Sequence, residues 1–274
     1  HVTKAMKDFR PWLGQHARIV AEPNLMSFDR KAAQQLPRAE LVMVLGGDGT
    51  ILGQARNIVD LNLPVIGVNF GKLGFLTEFS IEDVKTHWDA IISGKCRTSK
   101  RIMISVQVFS QQTPDLVDPS RLLPARFESL GLNDTVITAG PPHRMIEIEL
   151  VVDPGSEQAK AASIFGDGVI VATPSGSTAY NLSAGGPVVA PDVDALCITP
   201  ICAHSIAFRP IVVNSGSGIC LKLNRANHGT ELVIDGQVSV KVREGEQIFV
   251  RRGCDALVLL KNPKLSYWDT LATK

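Results

Sequence analysis

An α/β N-terminal domain, a parallel sheet with helices, followed by a mainly β C-terminal domain is the fold class this sequence predicts. Three observations carry the prediction. Uninterrupted apolar runs alternate with segments of helical spacing as far as Lys100, the order expected of a parallel sheet layered with helices. Beyond that point helical periodicity nearly vanishes and short strands recur. The length, 274 residues, favours two cores over one. The expected division is an α/β domain over residues 1–99, a β-rich domain over 100–253, and a segment 254–274 too apolar for a free tail, which should pack back on the first domain.

In chain order, residues 3–13 read as a short helix, 17–21 as a strand and 29–36 as a second helix-like piece. Residues 41–45 are five consecutive apolar side chains, the pattern of a strand buried on both faces. Ile51, Leu52, Ala55, Ile58 and Val59 then fall at helical spacing. Residues 64–69 form a second buried strand, and a glycine-bearing turn follows at 71–76. Ser80 and Asp83 read as the cap of a helix over 81–93, whose apolar face is Ile81, Val84, Trp88, Ile91 and Ile92 and whose end is marked by Gly94. Ligands on such sheets bind outside the strand C-terminal ends, where both glycine turns fall.

The β half opens with the alternation of Ile102, Ile104, Val106 and Val108. Residues 110–127, with three prolines and mixed polarity, read as a surface loop or flap. Further strands are expected at 145–152, 169–172, 195–199, 211–213, 219–223, 231–234, 238–242 and 247–250. Asp235 and Gly236 give the hairpin turn between two of them.

Composition narrows the function classes. Lys and Arg total 28 against 27 for Asp and Glu, with no basic run, so nucleic acid is not the expected partner. Apolar content is 45% but scattered in short pieces, far from the ~18 continuous apolar residues that span a bilayer, so no membrane partner is expected. The five cysteines form no C-x-x-C pair and read as buried thiols in strands. No signal peptide is visible, which makes a reducing cytoplasm the expected compartment.

The chemistry is concentrated in two stretches. Leu45 is followed by Gly46, Gly47, Asp48 and Gly49, so that a carboxylate sits among glycines where a buried strand gives way to a helix. Glycine lets backbone N–H groups approach a ligand, and the helix N-terminus favours an anion. Asp48 itself would repel phosphate, so it suits either a magnesium-associated group or a base taking a proton from a hydroxyl beside a phosphate chain. An ordinary strand-to-helix connection has the same four residues. The sequence has neither G-x-x-x-x-G-K-[ST] nor a G-x-G-x-x-G after a strand, nor a G-x-S-x-G elbow. In the second stretch, residues 165–187, a strand between two glycine-rich turns leads into a cluster of hydroxyls at Thr173, Ser175, Ser177 and Thr178. Small hydroxyl residues with exposed amides suit a flat base and a ribose, and Tyr180 can close one side. Asn133 and Asp134 add two adjacent hydrogen-bonding side chains, although both are also common turn formers.

These segments, together with residues 71–76 and the triplet Asp235, Gly236, Gln237, occur in the order and approximate spacing of the NAD kinase family. From Leu41 onward the chain resembles a bacterial-type member. Gly-Gly-Asp-Gly turns also occur in lipid kinases and 6-phosphofructokinases; the Thr-Pro-Ser-Gly-Ser-Thr-Ala-Tyr segment at 173–180 narrows the field. The resemblance implies an enzyme, an NAD kinase that transfers a phosphoryl group from ATP, with a divalent metal such as Mg2+, to the 2′-hydroxyl of the adenosine ribose of NAD, giving NADP in a cleft between two domains. It implies Asp48 as the catalytic base, with Gly46, Gly47 and Gly49 shaping the phosphate turn. Asn133, Asp134, Thr178, Ala179, Tyr180 and Ser183 would bind the dinucleotide, with Asp167 on a ribose or the nicotinamide side and Arg144 and Gln237 adding contacts. His204 is close to a family pattern and equally reads as a core histidine. The family also implies a homodimer or homotetramer. Two other readings stand beside this one: a non-catalytic NAD(P)-binding regulator, and a lipid kinase sharing the Gly-Gly-Asp-Gly turn, which the lack of an amphipathic membrane helix or basic patch disfavours.

Overall fold

The structure is a computed structural model, described for residues 2–23, 28–110, 124–157, 159, 161–204 and 208–273. Most of the flap expected over 110–127 lies outside the described residues. The chain forms two compact units: residues up to Arg101 with those from Asp255 onward, and Ile102–Cys254.

The first unit contains α1 (Val2–His16), α2 (Arg30–Gln34), β1 (Val42–Leu45), α3 (Asp48–Ile58), β2 (Pro64–Val68), α4 (Ile81–Thr86) and α5 (Trp88–Ile92). Strands β1 and β2 pair in parallel with Val42 opposite Val65. On the other side of β2, Val258 and Leu259 of the last strand of the chain pair in parallel with Pro64 and Val65. Phe9, Ile66, Phe79, Val84, Trp88 and Leu260 form the core that these elements close over.

Three expectations need correction here. Residues 17–21 are not a strand: Ala17 N–H bonds back to the Leu13 carbonyl, and strand propensity without a neighbouring ladder leaves the segment irregular. Strand β1 is less covered than its apolar run suggests, with Val44 its one buried residue, because it lies at the sheet edge among the described strands. The helix over 81–93 is two helices. Ser80 and Asp83 do form the capping box, but the backbone at His87 leaves helical geometry (φ −106°, ψ 14°) and a second helix starts at Trp88.

The second unit is nearly all β. Strand β3 (Thr98–Phe109) enters it at Ile102, followed by β4 (Phe127–Gly131), β5 (Asp134–Thr138), β6 (Ile146–Val152), β7 (Ala161–Gly166) and β8 (Gly168–Ala172). The one-turn helix α6 (Tyr180–Ser183) precedes β9 (Ala195–Ile201), β10 (Ile211–Asn214), β11 (Ile219–Arg225), β12 (Glu231–Ile234) and β13 (Val238–Lys241). Strand β14 (Gln247–Leu260) leaves the unit after Cys254, and α7 (Tyr267–Thr273) ends the described chain.

An antiparallel sheet of six strands runs in the order β10-β9-β8-β5-β12-β13. Strand β11 pairs antiparallel with β6 and with the first part of β14, β6 pairs with β7, and β3 with β4. Ile104, Val106, Ile148, Val169, Val171, Leu196, Leu221 and Ile248 share one apolar cluster fed by both sets of strands. Period-two alternation produces such a layer because every second side chain points to the same face. Strand β8, buried at every residue, is the centre of the six-stranded sheet on which the candidate site is built. Of the cysteines, Cys96, Cys197 and Cys220 are buried as expected, whereas Cys202 and Cys254 are exposed. Cys202 sits in a turn at φ +47° and Cys254 in a stretch of β14 that solvent reaches, so neither can serve as core filling.

Candidate functional site

Each unit presents one locus, and each is held by a carboxylate that collects backbone N–H groups. In the first unit the apolar run of β1 ends in Gly46, whose N–H reaches the Val68 carbonyl at 2.9 Å. Gly46 has φ +154°, and a Cβ there would lie 2.3 Å from Thr50 Oγ1, so the chain turns only because this residue is glycine. Gly47 is the N-cap of α3 and Asp48 its first residue.

The second glycine turn, which follows β2, folds over Asp48. Phe75 N–H donates to Asp48 Oδ2 at 2.8 Å. Oδ1 accepts from Leu76 N–H at 3.2 Å, Thr77 N–H at 2.9 Å and the Thr77 hydroxyl at 2.7 Å. Asn69 braces the turn from its other side. Its amide nitrogen donates to the Lys72 carbonyl at 2.6 Å and to Thr77 Oγ1 at 3.0 Å, and its oxygen accepts from Gly71 N–H at 2.7 Å. One residue further on, buried Glu78 pairs with Lys261 and accepts from Asn262 N–H at 3.1 Å, which ties the turn to the C-terminal residues of the same unit. The carboxylate is therefore oriented by four donors before any ligand arrives, three on one oxygen and one on the other.

In the second unit the locus lies at the end of the six-stranded sheet where β5 begins and β8 and β12 end. Asp235, 5% exposed, occupies the hairpin turn between β12 and β13, where it and Gly236 both have positive φ (52° and 64°). Its carboxylate crosses to the turn before β5. Oδ2 accepts from Leu132 N–H at 2.9 Å, and Oδ1 accepts from Asn133 N–H at 2.7 Å and Asp134 N–H at 3.2 Å. The same turn is gripped from β8, since Thr173 N–H donates to the Asn133 carbonyl at 2.8 Å and the Thr173 hydroxyl donates to the Leu132 carbonyl at 2.6 Å. Gly176 N–H donates to Thr173 Oγ1 at 3.2 Å, and a Cβ on Gly176 would lie 2.1 Å from the Asn133 carbonyl oxygen.

The hydroxyl-rich segment is sorted by burial. Ser177 and Asn181 face inward: the Ser177 hydroxyl donates to the Pro174 carbonyl at 2.7 Å and accepts from Val189 N–H at 3.0 Å. Asn181 is 0% exposed; its amide donates to the Ser177 and Pro187 carbonyls, and it accepts from the Thr199 hydroxyl at 2.7 Å. Thr178 and Ala179 are half-buried, while Tyr180 (47% exposed) and Ser183 face outward, as does Gln237 in the neighbouring hairpin. Asn133 Oδ1 is buried with no hydrogen-bond partner among the described residues. Buried acceptors left open in this way point to a missing donor.

Burial raises the Asp134 carboxyl to about 7, and the nearby Asp235 charge pushes in the same direction. A carboxyl raised in the folded state binds more protons folded than unfolded between about 4 and 7. Its contribution to stability is thus fully present below pH 4 and lost as pH rises through 7. Thermal unfolding of the ligand-free protein should therefore shift to lower temperature between pH 5.5 and pH 8. Asp134→Asn should flatten that slope, and an unchanged slope in calorimetric scans would remove Asp134 as its source.

The structure brings Asn133, Asp134, Thr178, Ala179, Tyr180, Ser183 and Gln237 to one end of the sheet. It does not bring Asp167 and Arg144 there. Asp167 precedes β8, bonded through its backbone to Ala139 and Ile201, about 20 Å of extended chain from Thr173. Arg144 is exposed at that same far end, its carbonyl accepting from Asn227. His204 lies there too and is exposed, with its N–H on the Phe165 carbonyl, so it is not a core histidine; Ser205 beside it lies outside the described residues. Asp167 also raises the thiol pKa of exposed Cys202 through a hydrogen bond. Residue-type reasoning missed Asp235, Thr77 and Asn181. The signal for Asp235 was its place beside a glycine in a hairpin; nothing in the sequence told which backbone its carboxylate would reach.

Comparison with known proteins reveals the relationships of the chain. The ATP-NAD kinase N-terminal domain matches residues 11–96, and the ATP-NAD kinase C-terminal domain matches residues 132–261. An NAD kinase of Salmonella dublin is 37% identical over 238 residues, 86% of this chain and 76% of that protein. One from Escherichia coli O1:K1 / APEC is 36% identical over the same length. Among solved structures, yeast NADH kinase complexed with NADH superposes with a TM-score of 0.73 at 27% identity, and the match covers 86% of this chain but 65% of that one. An NAD kinase from Archaeoglobus fulgidus in complex with ATP gives 0.69 at 25% identity, covering 96% of this chain and 90% of that one.

Proposed function

The chain belongs to the NAD kinase family, and from that premise we propose that it phosphorylates the 2′-hydroxyl of the adenosine ribose of NAD with ATP, releasing NADP and ADP. The observation that carries the residue-level reading is the carboxylate of Asp48, fixed by four donors at the first turn of α3 beside a glycine turn. Its Oδ2 accepts a single N–H and so keeps room for a proton. In the proposed step the ribose 2′-oxygen attacks the terminal phosphorus of ATP. The bond from that phosphorus to the ADP oxygen breaks, and the hydroxyl proton passes to Asp48.

Asn133 and Asp134 suit hydrogen bonding to the dinucleotide, the open Oδ1 of Asn133 being the acceptor that a ligand N–H or O–H would satisfy. Half-buried Thr178 and Ala179, with Tyr180 and Ser183 facing outward, offer a hydroxyl, backbone and an aromatic face to the same ligand. Arg144 and Asp167, at the other end of the sheet, fit contacts to a different part of the ligand. Among the described residues no group of three or more His, Cys, Asp or Glu is arranged to hold a metal. That fits Mg2+, which binds through one or two carboxylates plus substrate phosphates, with Asp48 as the carboxylate at hand. When bound, the ion neutralises charge on the phosphate chain; the protein orients the hydroxyl and takes its proton.

Among the described residues no helix is long and apolar enough to cross a membrane, and the proposed compartment is the cytoplasm. Exposed Ile211 and Val212 on edge strand β10 fit self-association as a homodimer or homotetramer, which light scattering would reveal. The function itself is tested by incubating the protein with ATP, magnesium and NAD and measuring NADP with a coupled dehydrogenase. NADP formation is expected. NAD binding without NADP would instead identify a non-catalytic regulator, and co-sedimentation with vesicles would favour the lipid kinase.

The phosphate turn allows a sharper check. A Cβ at Gly47 or Gly49 meets no atom within 4 Å. Neither glycine is thus required by packing, and Ala in α3 in place of Gly49 should stabilise the helix by about 1 kcal/mol. If phosphates lie against this backbone, Gly47→Ala and Gly49→Ala should fold normally yet raise the KM for ATP at least tenfold. An unchanged KM in both would place the phosphates elsewhere.

A further inference from the structure

We propose that Asp235 is a positioning residue for the dinucleotide, acting through the turn it holds and not by touching the ligand. The inference rests on the assignment of Asn133 and Asp134 to NAD. Those two side chains lie on a turn that has no regular structure of its own between β4 and β5. A free turn of this kind samples many backbone conformations, and each would aim the two side chains differently. Here three consecutive N–H groups, those of Leu132, Asn133 and Asp134, converge on one carboxylate from a hairpin about a hundred positions later in the chain. Consecutive amides converging on an anion form a nest, a geometry that a neutral side chain satisfies poorly.

Asp235 is suited to that task by its own backbone. It sits at φ +52°, a conformation that Asp tolerates better than most residues, and it passes its own N–H to the Asp134 carbonyl at 3.0 Å. The two turns are thus bonded in both directions. Thr173 closes the arrangement from a third segment through the Leu132 and Asn133 carbonyls. With both its N–H and its carbonyl engaged, Asn133 keeps one orientation, and its Oδ1 stays buried without a protein partner. The cost of placing a second carboxyl beside buried Asp134 is accepted in exchange for that orientation.

The test compares Asp235→Ala, Asp235→Asn and Asn133→Ala, reading steady-state constants and, separately, NAD binding by titration calorimetry. Asp235→Ala frees all three amides and should raise the KM and Kd for NAD at least tenfold. The kcat and the KM for ATP should stay within about threefold, since the groups that act on the phosphoryl centre are unmoved. Asp235→Asn keeps one acceptor oxygen, able to hold the Asn133 and Asp134 amides, and should recover part of the loss even if the alanine variant folds poorly. A residue that merely stabilised the unit would reduce the amount of active protein and leave the KM for NAD alone. Wild-type affinity for NAD in Asp235→Ala and Asp235→Asn, with Asn133→Ala weakened, would overturn the positioning role. Wild-type affinity in Asn133→Ala would overturn instead the assignment on which the proposal rests.

Discussion

Asp48→Asn should lower kcat by about 10^2- to 10^4-fold, the range lost when a general base is removed, while NAD and ATP still bind. The amide cannot take a proton, yet it keeps nearly the shape of the carboxylate. Its oxygen can occupy the Oδ1 position and keep the donors of Leu76 and Thr77, which contribute three of the four hydrogen bonds. That choice turns the NH2 group toward Phe75 N–H, which now lies 2.8 Å from Oδ2, and two donors then face each other. Leaving one buried donor unmatched costs about 1–3 kcal/mol, so the melting temperature should fall by several degrees without loss of the fold. The distinguishing result is a collapsed kcat with NAD affinity held within about threefold. Turnover near the wild-type rate would show that another group accepts the proton.

Much of the architecture could be read from periodicity because the apolar patterns and the folding units coincide. The runs at 41–45 and 64–69 became β1 and β2, and the loss of helical spacing after Lys100 marked the β-rich half. Strands β4 and β7 escaped because Phe127–Gly131 and Ala161–Gly166 are poor in β-branched residues, and pairing with β3 and β6 determines them. The last strand was read as two pieces because Arg251, Arg252 and Asp255 interrupt its apolar pattern; solvent-facing positions in a long antiparallel strand permit such an interruption. The site was legible at the level of segments: glycine turns after strands and a hydroxyl cluster are local features with local chemical reasons.

How the segments hold each other was not legible. Asp48 binds residues 75–77 and Asp235 binds residues 132–134, contacts separated by about thirty and a hundred positions, and no local pattern in either segment announces its partner. The same is true of separation. Asp167 and Thr173 flank one five-residue strand and are close in sequence, but a strand places its two ends far apart, so proximity in the chain misled where the sheet decides.

The contact between the two glycine turns of the first unit gives the second large effect. A Cβ on Gly74 would lie 2.0 Å from Asp48 Oδ1 and 2.3 Å from its Cγ, an overlap that no adjustment of a few tenths of an ångström relieves. The obstructing atoms belong to a side chain, so the strain is relieved by driving the carboxylate out of its cradle, which leaves the N–H groups of Phe75, Leu76 and Thr77 without their acceptor. Gly74→Ala should therefore lower kcat at least about 100-fold, as loss of the base does, and also destabilise the first unit. Gly71→Ala is the matching control, because its Cβ would find only Asn69 Oδ1 at 3.7 Å. If Asp48 is the cause of the clash, removing it should make the methyl harmless. In the Asp48→Ala background Gly74→Ala should then cost little further stability, a coupling of about 1–3 kcal/mol in the double-mutant cycle. Additive losses would mean that the 71–77 turn needs glycine for its own backbone, and that Asp48 is held by the turn without the turn being shaped around Asp48.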